Sequence, residues 1–332
     1  MAEGKVKRVT LSDVAQLAGV SRGAAGKVIN GCDGNISVSD NTCRRVREAA
    51  RILNYRNNMA AAMLAGRSSS LIGVMADTQA HFRSRQLLQE IEKSTSRHNF
   101  RLLVGFTHDN MKSMRENYEA MHSYGVCGII CLAHDYPQFC EETAELFRDS
   151  SDVVFMGQPH FEAGAWVNID VQKALTELVA ELKRDGRQRI GLVHSNLFFL
   201  HQSRLLESYR GALEANNIPF RPELLGCLPD ASSTLERCMV LIRDFIEKER
   251  PDAIFIDDAQ FAVCIQSHLQ SSGWRIPEEL VICGGNNDPL FTYVAPAICS
   301  LNPHFELVAE EFVRIIRKNK FHENKTIHAT YR

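Results

Sequence analysis

The sequence predicts a small all-α head followed by a larger α/β body made of two doubly wound units. At 332 residues the chain is longer than one hydrophobic core usually fills. From residue 71 onward, short β-branched runs alternate with amphipathic segments, which is the pattern of parallel sheets covered by helices. The head, residues 1–67, carries 11 Lys and Arg against 5 Asp and Glu, whereas the body, residues 68–332, carries 27 against 35. The net charge of −2 therefore conceals a basic head, which suits either a polyanionic partner or a solvated basic face.

Composition excludes several other classes of protein. Apolar residues make up 45 % and charged residues 23 %, so disordered, collagen-like and coiled-coil proteins are excluded. No run of eighteen apolar residues occurs, and the N-terminus lacks the apolar core of a secretory signal, so we expect a cytoplasmic protein without membrane contact. The ten cysteines form no CxxC pair and have no histidine at zinc-ligand spacing. We therefore expect reduced core thiols rather than disulfides or metal ligands, and no cofactor.

The head is predicted to form three short helices. Thr10 and Asp13 have the spacing of a capping box, and Gly19 is placed to end the first helix. Ser21 can cap a second helix only two residues later, and Ser39 can cap a third. Two helices joined by a tight glycine-containing turn, with a third closing the core, form a helix-turn-helix, whose second helix lies in the DNA major groove.

The second helix is predicted to have two different faces. At 100° per residue, one face is entirely apolar, whereas the opposite face carries only cations and glycines. The apolar face consists of Ala24, Ala25, Val28 and Ile29, and the opposite face of Arg22, Gly23, Gly26 and Lys27.

These segments resemble the LacI/GalR family of transcriptional regulators. The matching runs are VTLSDVAQLAGVS, KVING, VSDNTCRRVREAARILNY, NNMAAAMLAG and SLIGV, which cover about the first 75 residues. The order of elements in the body also fits that family. The resemblance implies a homodimeric repressor of a palindromic double-stranded DNA operator, modulated by a small, sugar-like effector that a periplasmic-binding-protein-like body clamps between two lobes.

The resemblance also implies domain boundaries, with the chain crossing between the lobes three times. It divides the chain into a helix-turn-helix domain (1–57), a hinge helix (58–67) and a two-lobed effector-binding and dimerisation domain (68–332), with the first lobe at about 68–162 and 296–322 and the second at about 165–294 and 325–332.

The resemblance assigns DNA contacts to particular residues of the head. Arg22, Gly23 and Lys27 stand at the base-reading positions, where Arg can grip guanine with two donors and Lys acts as a point charge. Glycine supplies no reading atoms, which suggests a short or shape-dependent code. Ser21 and Ser39 have a capping role in either case. The phosphate-contacting positions are Ser21, Asn30, Ser39 and Thr42.

Residues 58–66 correspond to the hinge of the family. Nine residues are too few for a stable isolated helix, so we expect this segment to become helical only when DNA and a partner subunit are present. Leu64 matches the leucine that relatives wedge into the minor groove, although ordinary packing is the alternative. Asn58 and Ala61 are expected beside it in that groove. Asn57 replaces the usual proline before the hinge, which raises the cost of ordering it.

Ligands in doubly wound sheets bind beyond the carboxyl ends of the strands. Several polar or aromatic residues of the body lie at such ends or match effector positions of the family. Carboxylates beside an aromatic ring suit a polyhydroxylated ligand. The alternative for the Asp and Asn residues is simple loop capping. The candidates are His81, Phe82, Asp170, Arg204, Asp257 and Asn286.

Two other function classes fit the sequence less well. An enzyme is disfavoured because GVSRGAAGKV departs from a phosphate loop at Ser21 and Val28, and because no HExxH or GxGxxG motif occurs. A DNA-binding regulator with a degenerate cleft and no effector is the nearer alternative, since Asn286 stands where an effector-gripping aspartate is common.

Overall fold

The structure is a computed structural model with two compact units that divide between Ser69 and Ser70. None of the helices it describes is long and apolar enough to cross a membrane. It describes residues 9–29, 38–56, 69–77, 82–107, 110–134, 137–194, 200–228 and 235–331.

The head contains the three predicted helices, α1 (Leu11–Ala18), α2 (Arg22–Ile29) and α3 (Asp40–Ile52). The predicted capping box at the start of α1 is confirmed. Thr10 Oγ1 accepts from the Asp13 backbone N–H at 3.3 Å, and the Asp13 carboxylate accepts from the Thr10 backbone N–H at 2.7 Å.

The other predicted caps of the head are confirmed as well. Ser21 Oγ accepts from the Ala24 backbone N–H at 3.1 Å, and Ser39 Oγ accepts from the Thr42 backbone N–H at 3.3 Å. Gly19 follows α1 in the left-handed conformation, with φ of 60°. These local bonds satisfy backbone donors that the start of a helix leaves unpaired.

Small side chains from all three helices form the core of the head. Ala24 and Ile29, on the predicted apolar face of α2, are half-buried rather than buried. The fully buried members are Val14, Ala15, Ala18, Ala25, Val28, Val46 and Ala49.

The body contains two six-stranded sheets with helices on both faces. The first sheet is parallel throughout, in the order β11-β5-β4-β3-β1-β2. Its strands, numbered in chain order, are β1 (Leu71–Ala76), β2 (Arg101–Phe106), β3 (Ile129–Cys131), β4 (Val153–Met156), β5 (Ala165–Asp170) and β11 (Asn324–His328).

The second sheet repeats this arrangement, in the order β12-β10-β9-β8-β6-β7. Its pairs are parallel except for the β10–β12 pair, which is antiparallel. The strands are β6 (Ile190–His194), β7 (Leu225–Cys227), β8 (Ala253–Ile256), β9 (Val281–Gly284), β10 (Cys299–Asn302) and β12 (Thr330–Tyr331).

Each sheet is covered by helices that bury apolar side chains against it. On the first sheet, α4 and α11 pack on one face, and α5 and α6 pack on the other. On the second, α7 and α8 share one core, and α9 and α10 share the other. These helices are α4 (Phe82–Arg97), α5 (Met111–Ser123), α6 (Cys140–Phe147), α7 (Gln172–Arg184), α8 (Leu200–Ala215), α9 (Leu235–Glu249), α10 (Ala259–Ser271) and α11 (Phe305–Arg317).

The crossings between the lobes lie at other positions than the sequence predicts. We placed 165–294 in the second lobe and 296–322 in the first, but β5 pairs within the first sheet and β10 pairs within the second. Similarly, β11 pairs with β5 of the first sheet, although 325–332 was assigned to the second lobe. Each crossing follows the carboxyl end of a strand, because a strand completes its backbone pairing before the chain leaves the sheet.

Candidate nucleic-acid interface and effector cleft

The first turn of α2 presents Arg22 and Gly23 to solvent. Ala25 and Val28 are buried on the opposite side of the helix. This agrees with the predicted faces of α2 for these four residues, whereas Gly26 on the predicted cationic face is half-buried, as are Ala24 and Ile29 on the apolar face. Lys27 lies one turn further along and is half-buried. The exposed end of α2 therefore combines a guanidinium with a position that carries no side chain.

Arg45 of α3 holds the turn that leads into α2. Its guanidinium Nη2 donates to the backbone oxygens of Ala18 and Gly19, the latter at 3.0 Å. The positive charge of Arg45 at the carboxyl end of α1 also interacts favourably with the helix dipole there. The sequence does not predict this role of Arg45, because a contact between residues 26 positions apart leaves no local pattern. In the sequence, Arg45 is only one of several basic residues of the head. Its guanidinium is exposed and is held by the backbone of this turn.

Two glycines of the head are expected to respond oppositely to replacement by alanine. At Gly23 a Cβ would lie 3.9 Å from its nearest neighbour, Ser21 Oγ, so Gly23→Ala should stabilise the head by about 0.5–1 kcal/mol. At Gly19 the backbone is left-handed and a Cβ would lie 2.7 Å from Arg45 Nη2, so Gly19→Ala should cost about 1–2 kcal/mol or more.

Hydrogen exchange of the head amides in the full chain measures both effects as changes in opening free energy. Slower exchange in Gly23→Ala and faster exchange in Gly19→Ala is the expected pattern. Faster exchange in both variants would mean that Gly23 has a structural role that its open surroundings do not reveal.

The hydroxyl groups predicted at phosphate positions also serve as local caps. Ser21 and Ser39 are exposed and accept backbone N–H groups, and Ser39 Oγ lies 3.0 Å from Thr42 Oγ1. Their capping role is therefore confirmed, and their phosphate contacts stay a prediction. Asn30 and the hinge residues Asn58, Ala61 and Leu64 lie outside the described residues.

Asp170 lies at the crossing that follows β5. Its Oδ2 accepts from His328 Nδ1 at 2.9 Å, and its Oδ1 accepts from the Gln172 backbone N–H at 2.9 Å. His328 ends β11, which leads into another crossing. The Asp170 carboxylate thus ties two crossing segments together and caps the start of α7.

Arg204 forms a contact between the two lobes. It lies on α8 in the second lobe, and its Nη2 donates to the Gln158 backbone oxygen at 3.2 Å. Gln158 follows β4 of the first lobe. The guanidinium also lies close to Gly157, where a Cβ would be 3.8 Å from Nη1.

Asn286 takes part in a second contact between the lobes, which we call the Gln86 bridge (Gln86, Asn286 and Asp288). Gln86 lies on α4 of the first lobe, and its Oε1 accepts from Asn286 Nδ2 at 3.0 Å. Its Nε2 donates to Asp288 Oδ2 at 2.8 Å. Asn286 and Asp288 are buried, and burial raises the pKa of Asp288 above its usual value. Sequence reasoning missed Gln86 and Asp288, because their partners lie about 200 positions away along the chain.

The remaining candidates divide between packing and loop capping. Asp257 follows β8 and packs closely against Gly285. A Cβ atom on residue 285 would lie only 2.2 Å from Asp257 Oδ1. Its neighbour Asp258 caps α10 by accepting from the Gln260 backbone N–H at 2.8 Å. Phe82 is the first residue of α4, and His81 lies outside the described part of the chain. The described residues hold no cluster of three or more His, Cys, Asp or Glu side chains that could bind a metal ion.

Two family models match the chain. The model for bacterial regulatory proteins of the lacI family matches residues 10–58, and the periplasmic binding protein-like domain matches residues 179–330. The first match covers all three helices of the head, and the second covers most of the second lobe together with the return through α11 and β11.

Curated relatives and solved structures agree with these matches. Catabolite control protein A of Staphylococcus aureus strain Mu50 is 29 % identical over 304 residues, which is 91 % of this chain and 89 % of the relative. The same protein of Priestia megaterium is 25 % identical over 305 residues, covering 91 % of this chain and 90 % of the relative.

Among solved structures, the lac repressor dimer bound to operator and the anti-inducer ONPF has a TM-score of 0.78 at 20 % identity, over 98 % of both chains. The complex of the transcriptional regulator CelR with cellobiose has a TM-score of 0.66 at 21 % identity, over 98 % of both chains. With the helix-turn-helix head and the two-sheet body, these matches show a DNA-binding domain of the lacI type joined to a periplasmic-binding-protein-like domain, and the chain is similar to transcriptional regulators of the lacI family.

Proposed function

We propose that the chain is a homodimeric repressor whose two heads place α2 in the major groove of a palindromic operator, and whose body responds to a small effector. The exposed amino-terminal end of α2, with Arg22 and Gly23 opposite the buried Ala25 and Val28, is the observation that supports this most strongly. The division into helix-turn-helix domain (1–57), hinge (58–67) and two-lobed domain (68–332) is part of the proposal. The lac repressor dimer bound to operator supports the arrangement by similarity of fold.

In this proposal Arg22 donates to guanine O6 and N7, and Lys27 reaches acceptors one turn further along the groove. Gly23 lets the helix backbone approach the DNA closely. Hydroxyl and amide groups at the ends of α2 and α3 hold phosphates and set the register without reading sequence. These groups are Ser21, Asn30, Ser39 and Thr42.

The proposed hinge connects the DNA-reading head to the body. Asn58, Ala61 and Leu64 enter the minor groove at the centre of the operator, with Leu64 as the wedge that unstacks a base step and bends the duplex. One short reading helix contacts few bases, so two heads in fixed register are needed for adequate specificity.

Exposed apolar side chains support a dimer formed through the body. β2 and β7 are the equivalent edge strands of the two sheets. Val104 and Phe106 are exposed on β2, and Val240 and Leu241 are exposed on α9, which follows β7. A second copy of this chain packed along that edge would bury them.

A small, sugar-like ligand between the lobes is the proposed effector. Asp170, Arg204, Asp257 and Asn286, with His81 and Phe82, are its proposed contacts. The Gln86 bridge favours the alternative of a regulator that needs no effector. Its hydrogen bonds join the lobes directly and use the Asn286 Nδ2 group.

Selection of duplexes from a random pool by the full-length protein tests the operator proposal. We expect an enriched inverted repeat that contains guanine in each half-site, bound by two chains per duplex in sedimentation measurements. Enrichment of no sequence, or of an asymmetric site bound by one chain, would contradict it.

A thermal-shift screen with sugars, sugar phosphates and nucleobases distinguishes the two alternatives for the cleft. A true effector at a hundredfold its dissociation constant adds about 2.7 kcal/mol to stability and should also change operator affinity. If the chain needs no effector, no compound should shift either quantity, and Gln86→Ala should by itself change operator affinity because it removes the Gln86 bridge.

Gln89→Ala is the matched control for that variant, since Gln89 is exposed on the same helix. It should leave melting and operator affinity unchanged. Equal effects of the two variants would show that the Gln86 bridge does not couple the lobes to the DNA.

A further inference from the structure

Two cysteines of the second lobe lie side by side on neighbouring strands. Cys283 of β9 and Cys299 of β10 are directly opposite each other in the parallel register. Their Sγ atoms are 2.9 Å apart, and both are free thiols. Cys283 is buried, whereas Cys299 is half-buried. Neither DNA reading nor the proposed effector cleft uses this pair.

The strand geometry suits a bond between the two sulfur atoms. Paired residues of adjacent strands project from the same face of a sheet, and the strands lie about 4.8 Å apart. A disulfide spans Cα atoms roughly 4.4–6.8 Å apart, with an S–S bond of about 2.0 Å. The sulfur atoms therefore need to approach by less than about 1 Å, which side-chain rotation can supply.

Neighbouring groups favour the thiolate on Cys299. Hydrogen bonding with the Cys283 thiol lowers the pKa of Cys299, and the Tyr331 hydroxyl lowers it further. The same interaction with Cys299, together with burial, raises the pKa of Cys283. Since the thiolate is the nucleophile and Cys299 is the more accessible of the two, Cys299 is placed to attack and Cys283 to resolve.

We propose that Cys283 and Cys299 form a redox modification site that a hydroperoxide oxidises to a disulfide. The Cys299 thiolate attacks a peroxide oxygen, so an S–O bond forms, the O–O bond breaks, and the leaving oxygen takes up a proton. Cys283 then attacks the resulting sulfenic sulfur, the S–S bond forms, and the S–O bond breaks with release of water. In total, two thiols lose two electrons and two protons, and hydrogen peroxide is reduced to two waters. A dithiol reduces the disulfide back to two thiols and is itself oxidised to a disulfide.

The site lies close to the crossings between the lobes. β10 ends at Asn302, where the chain leaves for the first lobe, and Leu301 pairs with Tyr331 of β12. The disulfide would link β9 covalently to the strand that enters this crossing.

Thiol counting in the full-length protein tests the proposal. The reduced chain is treated with a small excess of hydrogen peroxide, denatured and alkylated, and its intact mass and peptides are measured. Of ten cysteines, eight should be alkylated, and the cross-linked peptide should join Cys283 to Cys299. Dithiothreitol should restore all ten.

Variants identify the pair and control for other thiols. Cys299→Ala should keep nine alkylated thiols after peroxide, whereas Cys283→Ala, which retains the attacking cysteine without the resolving one, should keep eight, with Cys299 oxygenated and no cross-link. Cys227→Ala, which removes an exposed cysteine, should still lose two and keep seven. Cys299 is half-buried, so its variant serves if Cys283→Ala does not fold.

Three results would overturn the proposal: ten alkylated thiols after treatment, a cross-link that joins other cysteines, or loss of two thiols in Cys299→Ala. None of these measurements involves DNA or an effector, so their outcome is independent of the proposed operator and ligand.

Discussion

Replacing Arg22 with alanine is expected to weaken operator binding by about 1–3 kcal/mol for each half-site, which is roughly 5- to 150-fold. The guanidinium is exposed in the first turn of α2, next to a glycine and an alanine that cannot substitute for its donors. Binding to unrelated duplex should fall much less, because that binding depends on total charge rather than on contacts with base edges.

Fluorescence anisotropy with the selected palindrome and with a scrambled duplex of the same length measures both effects. Arg51→Ala is the matched control, because it removes one positive charge from the same head. Arg51 lies on α3 and pairs with Glu48, with Nη2–Oε1 at 2.6 Å. The control should weaken binding to both duplexes slightly and equally. An equal loss on both duplexes for Arg22→Ala would mean that Arg22 contacts phosphate only.

Replacing Phe312 with alanine is expected to destabilise the body by about 3–5 kcal/mol. Phe312 lies on α11 with 0 % of its surface exposed, and it packs with Ile72 and Val74 of β1. Removal of the ring leaves a cavity between the helix and the sheet, and close-packed neighbours relax only partly into such a space. α11 lies between two crossings, so its packing also fixes where the chain enters and leaves the first lobe.

Urea unfolding of the full-length protein, followed through the transition of the body, measures this loss. Leu307→Ala is the control on the same helix, since Leu307 is 50 % exposed and its truncation should change stability by no more than about 0.5 kcal/mol. If the two variants lost similar stability, the packing of α11 on the first sheet would be wrong.

The head was predictable because its signals are local. The caps at Thr10, Ser21 and Ser39 each depend on a residue three positions along the chain, and all three form as expected. Arg45 was not predictable in the same way. Its contact with the turn joins residues 26 and 27 positions apart, and in the sequence it could not be told from its basic neighbours.

The body was predictable in its central strands and less so at its margins. The β-branched runs of the body form strands β1–β4, β6, β8 and β9, and these runs are largely apolar because helices cover both faces of each sheet. β7 and β12 are short, and β11 (NKTIH) is largely polar, so backbone pairing rather than composition makes them strands. The predicted crossings were misplaced because β5 and β11 were assigned to the second lobe and β10 to the first.

In the cleft, too, local contacts were predictable from the sequence and long-range contacts were not. Loop capping by Asp170 and Asp288 follows from neighbouring residues. The bonds of Gln86 to Asn286 and Asp288 and of Arg204 to Gln158 depend on how the two lobes approach each other, and no period or motif in the sequence encodes that.

The ratio of affinities of the full-length protein for the selected palindrome and for a scrambled duplex, measured at physiological salt, tests sequence reading by the head most directly. If α2 reads base edges from both heads, the ratio should be at least about 10³ and should collapse in Arg22→Ala. A ratio near one, with both affinities falling steeply and equally as salt increases, would mean that the basic head binds DNA by charge alone.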